Sequence, residues 1–241
     1  EIAEGRGRAA GGVGLDLRHL PLEELESDAA VPFRRIRDAG LDPRVDIIEI
    51  SPVAHYQIGG VVIDENGATN VSGLFAAGED AGGVHGAAWT GGNGMAEALV
   101  LGTRAGEAAA EMADAKGRRS PDPVAAATKP AAAIDPVGAL RNLRSLMWHH
   151  AGPVRTAESL EAARSRIMEI SDAVLPLTAW PGTSPSLEIL DPRNLLVSSL
   201  FLVESALARP RSLGVHWRTD SAAAAIDEDL AYSTVQIVDG E

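Results

Sequence analysis

Two features between Ser51 and Gly106 carry residue types able to do chemistry. The first is Glu79, which follows a short apolar run and a glycine in the stretch GLFAAGED from Gly73 to Asp80. A carboxylate at the carboxyl end of a strand stands where open α/β sheets collect ligands, and its oxygens suit a pair of ribose hydroxyls. Gly78 would let the backbone leave the strand in a conformation that other residues resist. The second feature is the turn Gly91-Gly92-Asn93-Gly94, which runs into an alanine-rich stretch from Met95 onward. A helix starting near Gly94 has unpaired first-turn amides and a positive dipole end, so an anionic or electron-rich ring edge can rest against it. Glycine-rich turns also precede helices for tight packing alone, and the turn by itself leaves both readings open.

These residues need elements to hold them. Gly59 and Gly60 precede an apolar run from Val61 to Ile63, Asp64 to Gly67 supply turn chemistry, and a second run spans Leu74 to Ala77. That pattern predicts a hairpin followed by a buried strand that delivers Glu79. Beyond the turn, Met95, Leu99, Gly102 and Gly106 recur at the spacing of one helical face.

Four patches then occur in an order shared with a known family. They are EGRG at Glu4–Gly7 with RHLP at Arg18–Pro21, HYQIGG at His55–Gly60, GLFAAGED followed by HGAAWTGGNG at His85–Gly94, and SLGVHWRTD at Ser212–Asp220. Across nearly its whole length the chain resembles the C-terminal part of the flavoprotein subunits of succinate dehydrogenase and fumarate reductase, and of the similar L-aspartate oxidases. The resemblance implies FAD as cofactor. It implies that His55 contacts a substrate carboxylate beside the flavin, that Tyr56 lies near the ring, and that Glu79, with Gly78, meets the FAD ribose. It also implies that Gly92, Asn93, Gly94 and Met95 open a helix at the flavin, the last two through backbone amides at its pyrimidine edge.

The departures matter as much. Family members with dicarboxylate substrates read HGANRLGGN, and their arginine clamps a substrate carboxylate. Here that position is Trp89, flanked by Ala88 and Thr90. An indole offers one neutral donor and a large apolar face, so it cannot replace a charged bidentate fork. Succinate and fumarate become poor guesses, and the pocket is either reshaped or has lost its activity. Near the end, the family's SRG is Ser212-Leu213-Gly214, read as structural or as a domain contact.

No GxGxxG fingerprint for the FAD pyrophosphate occurs before Ser51. The family's proton-donating arginine, and the histidine that some members join to the flavin, lie upstream of the EGRG patch. The expectation is therefore a fragment, a processed product or one piece of a split protein, whose first partner is the missing N-terminal half. An iron–sulfur or other electron-transfer subunit is a further partner to expect.

Composition agrees with a folded piece of a larger protein, since 45% of the 241 residues are hydrophobic and only 4% aromatic. A formal net charge of −13 argues against nucleic acid and anionic membrane surfaces. No stretch is apolar enough to span a bilayer, and without cysteine the chain can ligate no iron–sulfur cluster through thiolates. The expected location is cytoplasmic, or peripheral to a membrane through partner subunits.

The fold class expected is α/β: the C-terminal part of a Rossmann-like FAD-binding domain, with the remnant of a capping domain, followed by a helical bundle. The divisions are a capping remnant at 1–49, with Pro43 marking the return to the sheet, and the flavin segment at 50–113. An alanine- and proline-rich linker follows at 114–136, then a helical domain at 137–215 and an extension at 216–241. In the bundle, Leu140, Leu143 and Met147 share a face. Thr156 can cap a helix carrying Leu160, Ala163, Ile167 and Ile170, and Asp191-Pro192 begins a third with Leu195, Ser199, Leu202 and Leu207.

The remaining conspicuous residues have plainer readings. His149 and His150 are adjacent, not at metal-ligand spacing, so no metal site is expected. His85 either approaches the flavin or fixes the loop. His19 holds the capping fold, His216 and Trp217 sit near the flavin domain or are buried, and the acidic run from Glu23 to Asp28 is a solvated helix face. The function expected is FAD-dependent hydride transfer between flavin and a carbon next to a carboxylate or carbonyl. The alternatives are a noncatalytic remnant serving as an assembly or binding module, and an aspartate oxidase-like enzyme.

Overall fold

A computed structural model describes residues 2–9, 11–27, 30–116, 135–174 and 187–221. The chain divides into two compact units, Glu1–Gln57 and Ile58–Glu241.

In the first unit, strand β1 (Val13–Leu15) pairs antiparallel with β2 (Ile48–Ile50), with Val13 opposite Ile50 and Leu15 opposite Ile48. Helix α1 (Leu22–Ser27) turns Leu25 inward and leaves Glu23, Glu24 and Glu26 in solvent, the face its charges favour. Asp28 lies outside the described residues. Helix α2 (Ala30–Asp38) buries Phe33, with the Arg37 guanidinium 5.8 Å from that ring's centre. Pro43 is fully buried on the way back to β2.

The second unit begins with an irregular segment. The turn expected at Asp64–Gly67 forms, because the Asp64 carboxylate accepts the Asn66 and Ala68 amides, both at 2.9 Å. Its arms differ from the expected hairpin. Gly67 to Thr69 bond across to Leu74 and Ala76, while Val61 pairs instead with Asp80 and Gly82. Leu74–Ala77 is not a buried strand, since Leu74 is exposed and this ladder stops after one bridge. A strand needs neighbours on both edges to be buried, and among the described residues no sheet flanks this one.

Helix α3 spans Asn93–Lys116, starting where the glycine-rich turn predicts. Its inward side is Glu97, Leu101 and Ala105, whereas Met95 and Leu99 face out at 71% and 64% exposure. The expected apolar row is thus the outer face. Most of the expected linker, 117–134, lies outside the described residues.

Among the described residues three helices form the bundle: α4 (Pro136–Ala151), α5 (Ala157–Val174) and α6 (Leu187–Ala208), each packed on the other two. Asp135 caps α4 by accepting the Val137 amide, and Pro136 occupies the first turn, where its missing donor costs nothing. Thr156 caps α5 as expected, and Ser159 returns the bond to the Thr156 amide. Leu160, Ala163 and Ile167 are fully buried against Leu143, Leu196 and Val203. α6 starts at Leu187 rather than at Asp191, with Pro192 inside it. The helix tolerates this at the cost of one backbone hydrogen bond and a local clash, both confined to its second turn. Among the described residues no helix is long and apolar enough to cross a membrane.

Leu160→Ala should lower the unfolding free energy by about 2–5 kcal/mol, because it opens a cavity in a site with no exposure. Arg166→Ala on the same helix, which breaks only a solvent-exposed ion pair with Glu169, should change it by less than about 0.5 kcal/mol. Urea denaturation followed by circular dichroism compares the two.

Candidate functional site

The site grows from an approach of two backbones. Gly60 lies so close to the Asp80 carbonyl that a Cβ there would meet it at 2.4 Å. That proximity allows Val61 to donate to Asp80 O at 2.8 Å and Gly82 to donate to Val61 O at 3.0 Å. Together they tie down the single 3-10 turn Gly78–Asp80. Gly78 is buried with φ at 70°, the conformation the sequence requires of it, and packs towards Ala98 of α3. Glu79 is exposed on this turn.

The loop from Val84 to Asn93 connects that turn to α3. The His85 imidazole donates through Nε2 to the Glu97 carboxylate at 2.8 Å, with both side chains almost fully buried. The Thr90 amide points to His85 Nδ1 at 3.4 Å, and Asn93 N donates to Thr90 O at 3.2 Å. Trp89 is 37% exposed. Gly91, Gly92 and Asn93 are exposed, Gly94 is half-buried, and Met95 projects into solvent.

A turn from the far end of the chain closes on this loop. Val215 donates to Ala87 O at 3.0 Å, and Gly214, at φ 55°, sits where a Cβ would meet that oxygen at 2.0 Å. The turn is stitched to the bundle. Strand β3 (Val154–Arg155) pairs parallel with β4 (Trp217–Arg218). The buried Arg218 forms a two-pronged pair with Asp220, whose carboxylate also accepts the Ala157 amide at the start of α5. The hydrogen bond from Arg218 holds the Asp220 carboxyl well below the usual carboxylate range. Arg155 donates through Nη1 to His216 Nδ1 at 3.0 Å, while His216 Nε2 donates to Arg209 O at 3.0 Å. His216 is therefore neutral with its proton on Nε2. Burial, with Arg155, Arg218 and Arg209 nearby, keeps its pKa below the ordinary value.

Of the residues singled out in the sequence, the second unit gathers Gly78, Glu79, Trp89, Gly92, Asn93, Gly94 and Met95 on the turn, the loop and the opening of α3. His55 and Tyr56 end the first unit, His55 exposed and Tyr56 half-buried. His149 Nδ1 donates back to Ser145 O within α4 at 2.7 Å, which is local helix chemistry. Among the described residues no group of His, Asp and Glu could hold a metal ion. Sequence reasoning missed Glu97 and Arg155, and it read Ser212-Leu213-Gly214 as structural or as a domain contact without naming the Ala87 loop as its contact. The signal for Glu97 was an acid on the inward face of an otherwise apolar turn.

Comparison with known families and structures decides what this arrangement belongs to. Residues 1–95 match an FAD binding domain family and residues 140–241 match the fumarate reductase flavoprotein C-terminal family. The chain belongs to the succinate dehydrogenase and fumarate reductase flavoprotein family. It is 40% identical over 231 residues to one of the subunits of the CoM/CoB fumarate reductase of Methanothermobacter marburgensis, covering 91% of this chain and 42% of that protein. It is 36% identical to a Mycobacterium tuberculosis fumarate reductase flavoprotein subunit, over 86% of this chain and 40% of that one. L-aspartate oxidase 1 of Ralstonia nicotianae is 32% identical, with coverages of 86% and 39%. Among solved structures, Mycobacterium smegmatis Sdh1 in complex with UQ1 superposes with a TM-score of 0.72 at 29% identity, over 91% of this chain and 39% of that chain. The chain thus spans about two fifths of the length of these relatives.

The family's cofactor is FAD, and the residues present fit it. The first-turn amides of α3 lack intrahelical acceptors, the glycines before them leave their backbone open, with nothing within 4 Å of a Cβ at Gly91 or Gly92, and Glu79 stands exposed on the turn packed beside the same helix.

His216 has a pH consequence. The unfolded chain protonates this imidazole near pH ~6.5, whereas the folded protein resists. Stability from the neutral ring is therefore complete above that pH and is lost as pH falls towards the depressed folded pKa. Urea midpoints at pH 7.5 and pH 5.5 should fall further for the wild type than for His216→Gln, and equal falls would contradict this assignment.

Proposed function

We propose that this chain is the part of an FAD-dependent oxidoreductase that supplies one wall of the flavin site and much of the substrate wall. The observation that carries the reading is the convergence of the Gly78–Asp80 turn, the Trp89 loop and the opening of α3 in one compact unit. Bound there, the flavin would exchange a hydride with a carbon next to a carboxylate or carbonyl, with proton exchange at the neighbouring carbon.

The chain's own residues would bind and polarise. Glu79 would accept hydrogen bonds from the FAD ribose. The amides of Gly94 and Met95, at the positive end of α3, would stabilise negative charge on the reduced ring, with Gly92 and Asn93 shaping the approach. His55 would orient a carboxylate or carbonyl of the substrate, and Tyr56 would lie near the ring. The domain organisation we favour is a capping remnant at 1–49, the flavin segment at 50–113, a linker at 114–136, the helical domain at 137–215 and an extension at 216–241.

Partners follow from the same reading. A dinucleotide-binding half would complete the FAD site. An iron–sulfur or other electron-transfer subunit would exchange electrons with it, and peripheral membrane association would come through such subunits. The substrate is a small molecule bearing a carboxylic acid, but Trp89 leaves the family's carboxylate clamp without its cation.

That substitution also favours a second reading, a noncatalytic assembly or binding module. It weakens an aspartate oxidase-like activity, which would need the same clamp. Trp89→Arg, introduced into a protein completed with the upstream half, separates these. A retuned pocket should gain fumarate reduction by at least about tenfold, the scale of one charge-assisted hydrogen bond. Absence of turnover with any carboxylic acid, before and after the change, would favour the module.

A further inference from the structure

The Trp89 loop has no helix or strand of its own, so its shape must come from its anchors. Val215 holds Ala87 from the side of the bundle. A second anchor is His85, with 6% of its side chain exposed, against Glu97, with 2%. A carboxylate so deeply buried is costly unless it is paired, and an alanine-rich helix would be more stable with an apolar residue there if packing alone mattered.

We propose that Glu97 and His85 form a positioning pair that sets the course of the loop through Trp89, with Glu97 acting through the tautomer of His85. The carboxylate accepts a hydrogen bond from Nε2–H. A neutral ring protonated at Nε2 carries a lone pair on Nδ1, and that lone pair receives the Thr90 amide. A ring protonated at Nδ1 would set two donors against each other. Thr90 in turn accepts from Asn93 at the start of α3. Trp89 is thereby held between an anchored carbonyl at Ala87 and an anchored amide at Thr90, so Glu97 helps set where the indole is presented. The importance of this presentation for substrate rests on the function proposed above; the pairing itself does not.

The test uses the full chain without flavin or substrate, so it can fail independently of that function. Nitrogen-15 NMR of labelled histidine reads the His85 tautomer, and amide hydrogen exchange reads Thr90. The wild type at pH 7.5 should show the proton on Nε2 alone. Glu97→Gln keeps an oxygen acceptor and should preserve both the tautomer and the Thr90 exchange rate. Glu97→Leu should give a mixed tautomer and about tenfold faster exchange at Thr90, with the circular dichroism of the bundle retained. A wild-type ring protonated at Nδ1, or doubly protonated, overturns the proposal, and that result needs no variant to fold. Unchanged Thr90 exchange in a folded Glu97→Leu protein overturns it as well.

Discussion

Where Gly214 meets Ala87 and Gly60 meets Asp80, main chain touches main chain with no room for a side chain between them. The rest of the site depends on these two approaches, because residues 58–92 form neither a long helix nor an extended ladder. Such a segment can hold a shape only if its backbone groups find partners elsewhere. Gly60 admits the Val61 bonds that fix the turn bearing Glu79, and Gly214 admits the Val215 bond that fixes the loop bearing Trp89. Each contact exchanges side-chain packing for backbone hydrogen bonding.

The second approach joins parts of the chain that lie far apart in sequence. The turn at Leu213–His216 is held by Arg155, Ser212, Arg218 and Asp220, and Asp220 reaches the first turn of α5. The three-helix bundle therefore does more than fold on its own core. Its best-packed residues, around Leu160 and Ile167, support the helix whose start anchors the C-terminal turn. Packing energy in the bundle is converted in this way into geometry at a loop outside it. The neutral His216 ring suits this role, since it accepts from Arg155 and donates to Arg209 O.

Much of this was legible in the sequence because it rests on local chemistry. The Asp64 turn, the Thr156 cap, the helix start after Gly92-Asn93 and the solvated face of α1 each follow from residues within a few positions of one another. Failures came where the outcome depends on distant partners. Leu74–Ala77 has the composition of a strand, yet a strand becomes buried only when a sheet flanks it. Met95 and Leu99 were correctly placed on one face, but spacing alone does not say which face turns inward. Glu97 was illegible for the same reason, since its partner lies 12 residues away, and Gly214 was legible as structural but not as the contact of the Ala87 loop. The ordered family patches carry long-range information that a local window lacks, and the family they pointed to is the one the chain belongs to.

Trp89 in place of a guanidinium separates the cofactor question from the substrate question. In the function proposed above, the α3 amides and the Glu79 carboxylate would hold the flavin without that residue, so flavin binding would persist while substrate choice changes. Titration of flavin fluorescence with a protein completed by the upstream half tests the first of these most directly, with Glu79→Ala as comparison. The account predicts saturable quenching of FAD by the wild type and affinity lower by about tenfold for the variant, the scale of one lost hydrogen bond to a charged group. Absence of saturable quenching, or equal affinity in the two proteins, would contradict it.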